Sequence, residues 1–338
     1  MATLKTTYAG LEIKNPLIIG ASNLVLDEVI LKKLETSGAS AIVYKSLFEE
    51  QIQLENLHHD NITTEYSDRH PEMVKLFPSF EDAGAIEFLY KLEKARKLVS
   101  IPLIASLNAV YNDSWIDFAK KLEDTGVDAI ELNFYNIPKD FNIESVNIEF
   151  AQIEILKEVI KAVNVPVTVK LSPFYSNPLN IIQRMDKAGA KGFVLFNKLF
   201  HPDIDTQTMK QHFPYNLSHE GDNRLPQQYT GLLYGNIEGS LCANSGIASG
   251  NDVIKMILAG ADAVQVVSAI YRNKPEYIST MLKDIETWMQ EHHFNSLDEF
   301  RGKLSRKALT DDPYAYRRAQ YVDILFNSKD IFKQYPMM

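Results

Sequence analysis

The sequence holds a single cysteine, Cys242, in 338 residues. No intramolecular disulfide and no cysteine-based zinc cluster can form, and a reducing compartment is the natural reading. Long apolar runs are missing too. No stretch of about 20 uninterrupted apolar residues occurs, and Met1 to Gly20 lacks a basic segment leading into a long apolar one, so the expectation is a cytoplasmic protein with no membrane partner. Positive charge is in deficit, with Lys+Arg 35 against Asp+Glu 44 and a net charge of −9. That balance repels phosphate backbones and anionic lipid, so nucleic acid is not expected as a partner either. GxGxxG, P-loop, HExxH and GxSxG motifs are all lacking, and His58, His59, His70, His201, His212 and His219 show no metal-ligand spacing, so no metal is expected. Nor does any Ser/Gly tract, Pro-rich run or charge block mark a linker. With 45% hydrophobic residues the chain reads as one domain over 1–338 with a well-buried core.

What is present is a weak internal repeat in which a helix ends at a glycine and a short β-branched run follows. Its four copies run Leu34 to Ser46, Leu122 to Asn133, Met185 to Asn197 and Ile257 to Ser268. Gly38, Gly126, Gly189 and Gly260 sit where a left-handed helix C-cap releases the chain into a buried parallel strand. A second pattern interleaves with the first: Ile101 to Leu107 and Val165 to Leu171 each carry a proline at a strand entrance. Pro102 to Gly126 and Pro166 to Gly189 span 24 and 23 residues, room for strand, loop and an amphipathic helix such as Trp115 to Leu122 or Leu179 to Met185. With an opening strand at Pro16 to Ala21 and another at Gly239 to Ala243, eight strands are expected near 18, 43, 104, 130, 168, 194, 241 and 265. Eight strands alternating with helices suggest an α/β protein of the (β/α)8 TIM-barrel type, with a doubly wound open sheet as the alternative. Long loops are expected after strands two (Phe48 to Tyr90) and six (Lys198 to Glu238), and extra C-terminal helices over about 288–338.

The carboxyl ends of barrel strands face the active site, so the residues just past each apolar run form a candidate list. It is polar throughout: Ser22 and Asn23, Lys45 and Ser46, Ser106 and Asn108, Asn133 and Asn136, Lys170 and Ser172, Asn197 and Lys198, Asn244 and Ser245, and Ser268. Lys45 and Lys170 are costly at a barrel mouth unless an anion or an electron-rich ring compensates them. Ser245, Gly246 and Ser268 suit close backbone approach after strands seven and eight, where barrels commonly build a phosphate site. Asn108, Asn133, Asn136 and Asn197 offer paired donors and acceptors for a planar amide or imide. Each has a plainer reading as a packed stem or turn residue.

Taken together, Asn15-Pro16, Ala21-Ser22, Lys45-Ser46, the ELN ending at Asn133, VKLSP at Val169 to Pro173, Asn197, and the run ending at Ala269 resemble the class 1 dihydroorotate dehydrogenases over nearly the whole chain. SLFEEQI (Ser46 to Ile52), ASLN (Ala105 to Asn108) and LFN (Leu195 to Asn197) resemble a dihydroorotate dehydrogenase-like branch of that family. The resemblance implies FMN at the barrel mouth, its phosphate held around Ser245, Gly246, Val267 and Ser268, with Ala21, Ser22, Lys45, Ser46 and Asn133 lining the flavin. Lys170 would stand at the electron-rich edge of the ring. Lys45, Asn133, Asn136 and Asn197 would face the substrate. The implied reaction, as in pyrimidine biosynthesis, is hydride transfer from a small planar carbon acid, dihydroorotate by default, to flavin, followed by electron transfer to a second acceptor. A homodimer is implied as well. Three departures stand out. The family's cysteine-bearing N-x-S-C-P-N-x-P loop is replaced by NFYNIP (Asn133 to Pro138), where Tyr135 is a candidate base; the N-S-M-G-L-P-N substrate loop has no counterpart in Phe48 to Tyr90; and the phosphate loop's Gly-Gly and Gly-Thr become Ser245-Gly246 and Val267-Ser268. Alternatives are an FMN oxidoreductase of another substrate, a Schiff-base aldolase or lyase using Lys170, and a flavin-binding protein without catalysis.

Overall fold

The computed structural model describes residues 2–50, 83–109, 112–135, 138, 140–198, 201–215, 217–312, 314–318, 320–326 and 333. Short β-branched runs form the strands. A hairpin comes first, β1 (Thr6–Tyr8) and β2 (Leu11–Ile13), paired antiparallel. Then follow β3 (Leu17–Ile19), β4 (Ala41–Val43), a two-residue β5 (Leu47–Phe48), β6 (Leu103–Asn108), β7 (Ala129–Phe134), β8 (Val167–Leu171) and β9 (Gly192–Leu195). An exposed hairpin of β10 (Asp203–Asp205) and β11 (Lys210–His212) precedes β12 (Ser240–Asn244) and β13 (Ala263–Val266). Strands β3, β4, β6, β7, β8, β9, β12 and β13 pair in parallel, and the β4–β6 pairing closes the ring. This is the (β/α)8 barrel, with strands at all eight expected places.

The predicted punctuation explains the closure. Gly38, Gly126, Gly189 and Gly260 all take positive φ, the turn that lets a helix end and a strand begin within a few residues. Pro16, Pro102 and Pro166 stand at strand entrances, where the missing N–H costs no ladder bond and the carbonyl still accepts, from Val264, Ile42 and Ile130 respectively. Outward residues of the strands, such as Ile19, Leu103, Leu132 and Val169, join one large apolar cluster with helices α1 (Glu28–Thr36), α2 (Ala83–Leu98), α3 (Asn112–Asp124), α4 (Ser145–Ala162), α5 (Pro178–Lys187), α6 (Arg224–Leu233), α7 (Gly250–Ala259), α8 (Ser268–Asn273) and α9 (Tyr277–Glu291).

The barrel interior has its own smaller cluster. Ile18, Ala41, Val43, Ile104, Ala129, Val194, Cys242 and Ala263 project inward near the amino-terminal ends of the strands, and Tyr8, Ala9 and Ile13 of the first hairpin pack onto them as a floor. Cys242 is fully buried and unpaired. Burial pushes its thiol well up, with the Glu131 charge adding, so it is an inert core residue.

The connections after the second and sixth barrel strands are long, as expected, and the C-terminal stretch is less helical than expected among its described residues. The connection after β5 lies outside the described residues over 51–82, and Tyr90 already belongs to α2. Lys198 to Glu238 contains the β10–β11 hairpin and α6. Trp288 completes the last turn of α9; beyond it the described residues form turns, a 3-10 turn at Leu297–Glu299 and one two-turn helix, α10 (Gln320–Phe326). In the stretch 296–312 Gly302 holds a left-handed φ of 69°, and the residues around it form turns and not a continuous helix.

Candidate active site

Strand alternation dictates what faces the mouth. Counting in twos along each strand from the apolar floor reaches Ser22 from Ile18, Lys45 from Val43, Asn133 from Ala129, Lys170 from Thr168, Asn244 from Cys242 and Gln265 from Ala263. These side chains line a cavity of about 250 Å³ at the carboxyl ends of the strands. Of the residues expected at the site, the structure brings Ala21, Ser22, Lys45, Ser46, Asn133, Lys170, Asn197, Ser245, Gly246, Val267 and Ser268 together around it. Asn136 lies outside the described residues. Tyr135 is half-buried, its N–H bonded to the Asn133 carbonyl at 2.9 Å, and it is not among the lining residues.

The floor of the cavity is polar and ordered. Lys170 Nζ donates to Gln265 Oε1 at 3.1 Å, and Gln265 Nε2 donates to Glu131 Oε2. Glu131 is fully buried, one inward layer below Lys170; its Oε1 has no hydrogen-bond partner and stands 4.0 Å from the ammonium. Asn197 Nδ2 donates to Asn133 Oδ1 at 2.7 Å, which leaves the amide N–H of Asn133 and the carbonyl of Asn197 turned to other partners. Ser46 and Ser106 share a buried hydroxyl bond of 2.7 Å, and Ser22 Oγ is buried without a partner.

The far wall is the Ser245-Gly246 loop and the start of α8. Ser245 holds a left-handed φ of 75°, anchored where its hydroxyl and the Asn244 amide both donate to the Phe196 carbonyl. Gly246, at φ 71°, is glycine for a reason beyond its turn: an added Cβ would come within 2.4 Å of Asn223 N and 2.8 Å of the Asp222 carbonyl carbon. Residues 217–223 are strapped onto this loop. The Ser218 N–H and hydroxyl both reach Ser268 Oγ at 2.9 Å, Arg272 donates to the Ser218 carbonyl, Lys198 pairs with Asp222 at 2.7 Å, and Asn223 Nδ2 donates to the Gly246 carbonyl and to Asp252. Against the desolvation of partial burial, Lys198 and the His219 N–H hold the Asp222 carboxyl below its ordinary value. Tyr215, packed edge-on to Tyr271, is pushed up by burial and by that neighbour.

The lining therefore carries three lysines, amides, hydroxyls and backbone, and no carboxylate among its described residues. Such a donor set fits an anion joined to an electron-rich planar ring, as FMN is. The unpartnered Ser22 hydroxyl suits the same ligand. No group of acidic, histidine or cysteine side chains able to hold a metal occurs among the described residues.

Sequence reasoning missed Gln265, Glu131, Tyr215 and Ser218. For Gln265 and Glu131 the signal existed, because each is polar within an otherwise apolar strand, two residues before a recognised mouth residue. For the strap no local signal exists, since its residues reach the cavity through the tertiary path of a long connection.

A family model described as dihydroorotate dehydrogenase matches residues 3–289. The catalytic subunit of dihydroorotate dehydrogenase B (NAD(+)) of Thermoplasma volcanium is 29% identical over 308 residues, 89% of this chain and 98% of that protein. The chloroplastic dihydropyrimidine dehydrogenase (NADP(+)) of Arabidopsis thaliana is 23% identical over 350 residues, covering 95% and 81%. Dihydroorotate dehydrogenase A (fumarate) of Lactobacillus delbrueckii subsp. bulgaricus is 29% identical over 194 residues, covering 54% and 62%.

Proposed function

The chain belongs to the dihydroorotate dehydrogenase family of oxidoreductases, and from that premise we propose that it is an FMN-dependent enzyme oxidising a small planar carbon acid, with dihydroorotate the first substrate to test. The observation that carries this reading is the cavity itself: an ammonium at its floor, an amide pair at its side and a backbone cradle at its far wall, with no carboxylate among the described lining residues.

When bound, FMN supplies a hydride-accepting centre that no side chain offers. In this reading the backbone of Ser245, Gly246, Val267 and Ser268 holds its phosphate, and Ala21, Ser22, Lys45 and Ser46 line its ring. Lys170 sets a positive charge at the cavity floor. Asn133 and Asn197, fixed to each other, present one donor and one acceptor, the complement of a cyclic amide edge. Lys45 supplies the cation for a substrate carboxylate, and Asn136 belongs to the same substrate set. Electrons leave to a second acceptor. The strap excludes water from the phosphate side.

A different substrate is the second reading, favoured by one observation: the loop after β7 reads NFYNIP and holds no cysteine. Formation of a Schiff base on Lys170 is disfavoured by Gln265, whose oxygen engages the amine at 3.1 Å, and by Glu131 at 4.0 Å beneath it. A homodimer is supported by large apolar side chains on connections at the mouth side: Phe141, Phe174, Met209 and Phe213 are exposed after β7, β8, β10 and β11. No helix among the described residues is long and apolar enough to cross a membrane, and the single buried thiol agrees with a cytoplasmic setting.

Purification and anaerobic mixing test the reading. The protein is expected to be isolated yellow with FMN, and dihydroorotate is expected to bleach the flavin absorbance. A colourless protein that does not take up FMN refutes the flavin reading; bound FMN bleached by other dihydropyrimidines and not by dihydroorotate replaces the substrate.

A further inference from the structure

Glu131 is a fully buried carboxylate for which the proposed chemistry has no direct use. Register places it opposite Thr168, and Asn133 opposite Lys170, so the carboxylate lies beneath the ammonium and does not reach the cavity. Charge in a low-dielectric interior is costly unless compensated. The groups that feel Glu131 from the floor are Tyr8 of the first hairpin and Cys242 of β12, both pushed up by burial, and Asp262 at the foot of β13 acts on them in the same sense as Glu131. Lys170 is the cation within 4.0 Å, and Gln265 joins the two, its oxygen on the ammonium and its nitrogen on the carboxylate. On the cavity side Lys170 shares the lining with Lys45 and Lys198, two charges of its own sign.

Room for the bridging amide is built into the backbone. Gly20, the residue just past β3, has no side chain; a Cβ there would come within 2.9 Å of Val267 Cγ2 and 3.2 Å of Gln265 Oε1. Three strands and the gap at Gly20 thus converge on one amide orientation.

We propose that Glu131, acting through Gln265, is a positioning residue that fixes the Lys170 ammonium at the cavity floor and keeps it charged, so that Lys170 meets any bound electron-rich ring as a permanent cation and not as a nucleophilic amine. The identity of that ring rests on the FMN reading; the state of Lys170 does not.

Reductive methylation with formaldehyde, resolved by peptide mass spectrometry on the purified protein at pH 8, reads the fraction of neutral amine at each lysine. In E131Q, Lys170 is expected to react about tenfold faster than in the native protein, with exposed Lys97 unchanged as the internal control. E131D is expected to bring the rate back toward native. Should E131Q not fold, Q265M removes the bridge and leaves the carboxylate, and an acceleration of about threefold at Lys170 is expected. Equal rates in native protein and in a folded variant overturn the proposal. A second readout uses bound FMN, whose midpoint potential is expected to fall in E131Q and to depend more steeply on pH. If the protein takes up no FMN, the flavin reading fails while the methylation ratio still decides the role of Glu131.

Discussion

Arg301 and Lys170 are equally hidden, each with 8% of its side chain exposed, and the protein treats them in opposite ways. Arg301 sits at the floor end of the barrel and spends every N–H: on the Ala261 carbonyl and Asp262 through Nη1, on Thr6 Oγ1 and Asp298 through Nη2, and on Asp298 again through Nε. Lys170 makes one hydrogen bond, to Gln265, and lines the cavity. A buried cation saturated by the protein fastens structure, here the first hairpin to β13. One left with unspent donors facing a cavity is available to a ligand. The same barrel is thus sealed at one end and chemically open at the other.

The largest expected effect breaks the open end. Lys170→Met is expected to slow flavin reduction by substrate about 1000-fold in anaerobic stopped flow, the scale on which a preorganised charge acts; a loss of less than tenfold would remove Lys170 from its role. At the closed end, Arg301→Met leaves the Asp262 carboxylate, already pushed up by burial, without its partner. Urea unfolding is expected to show a loss of about 3 kcal/mol, with FMN affinity unchanged. If Arg301→Met weakened FMN binding as much as stability, the two ends would not be independent.

Acid is expected to weaken the amino-terminal end of the barrel. Glu35 accepts from the Ser100 N–H and hydroxyl and the Ile101 N–H at the entrance of β6, and from Lys32. Burial raises this carboxyl, but those donors outweigh burial and leave it at about 2, below the ordinary 4.5. A depressed carboxylate stabilises the fold above its unfolded value, so the contribution is present above about pH 4.5 and is lost as pH falls toward 2. With screening at the half-exposed Lys32, about 2 kcal/mol is at stake. Glu35→Gln is expected to flatten the acid limb of the stability profile. The smallest effect is expected for Tyr135→Phe, which removes a hydroxyl outside the described cavity lining: reduction within about threefold of native, whereas a loss of 100-fold or more would assign it the proton transfer.

Much of this was legible in the residues. Glycine at helix ends and proline at strand entrances located six of the eight barrel strands because both act through backbone geometry, which is local. Reading one step past each strand found most of the cavity lining, since the mouth is where the chain leaves the apolar run. Glu131 and Gln265 escaped because they were counted as part of that run; only the two-residue alternation separates an inward polar side chain from its apolar neighbours. The β1–β2 hairpin escaped because two three-residue strands carry too little alternation to read. The strap escaped because nothing in the composition of residues 217–223 states that Gly246 will lie against Asn223. That is decided by where the β10–β11 hairpin and α6 place the two segments.

The hairpin floor decides the route of access. With Tyr8, Ala9 and Ile13 filling its amino-terminal end, the barrel has no passage through the floor among its described residues, so a ligand of the cavity must enter and leave on the mouth side.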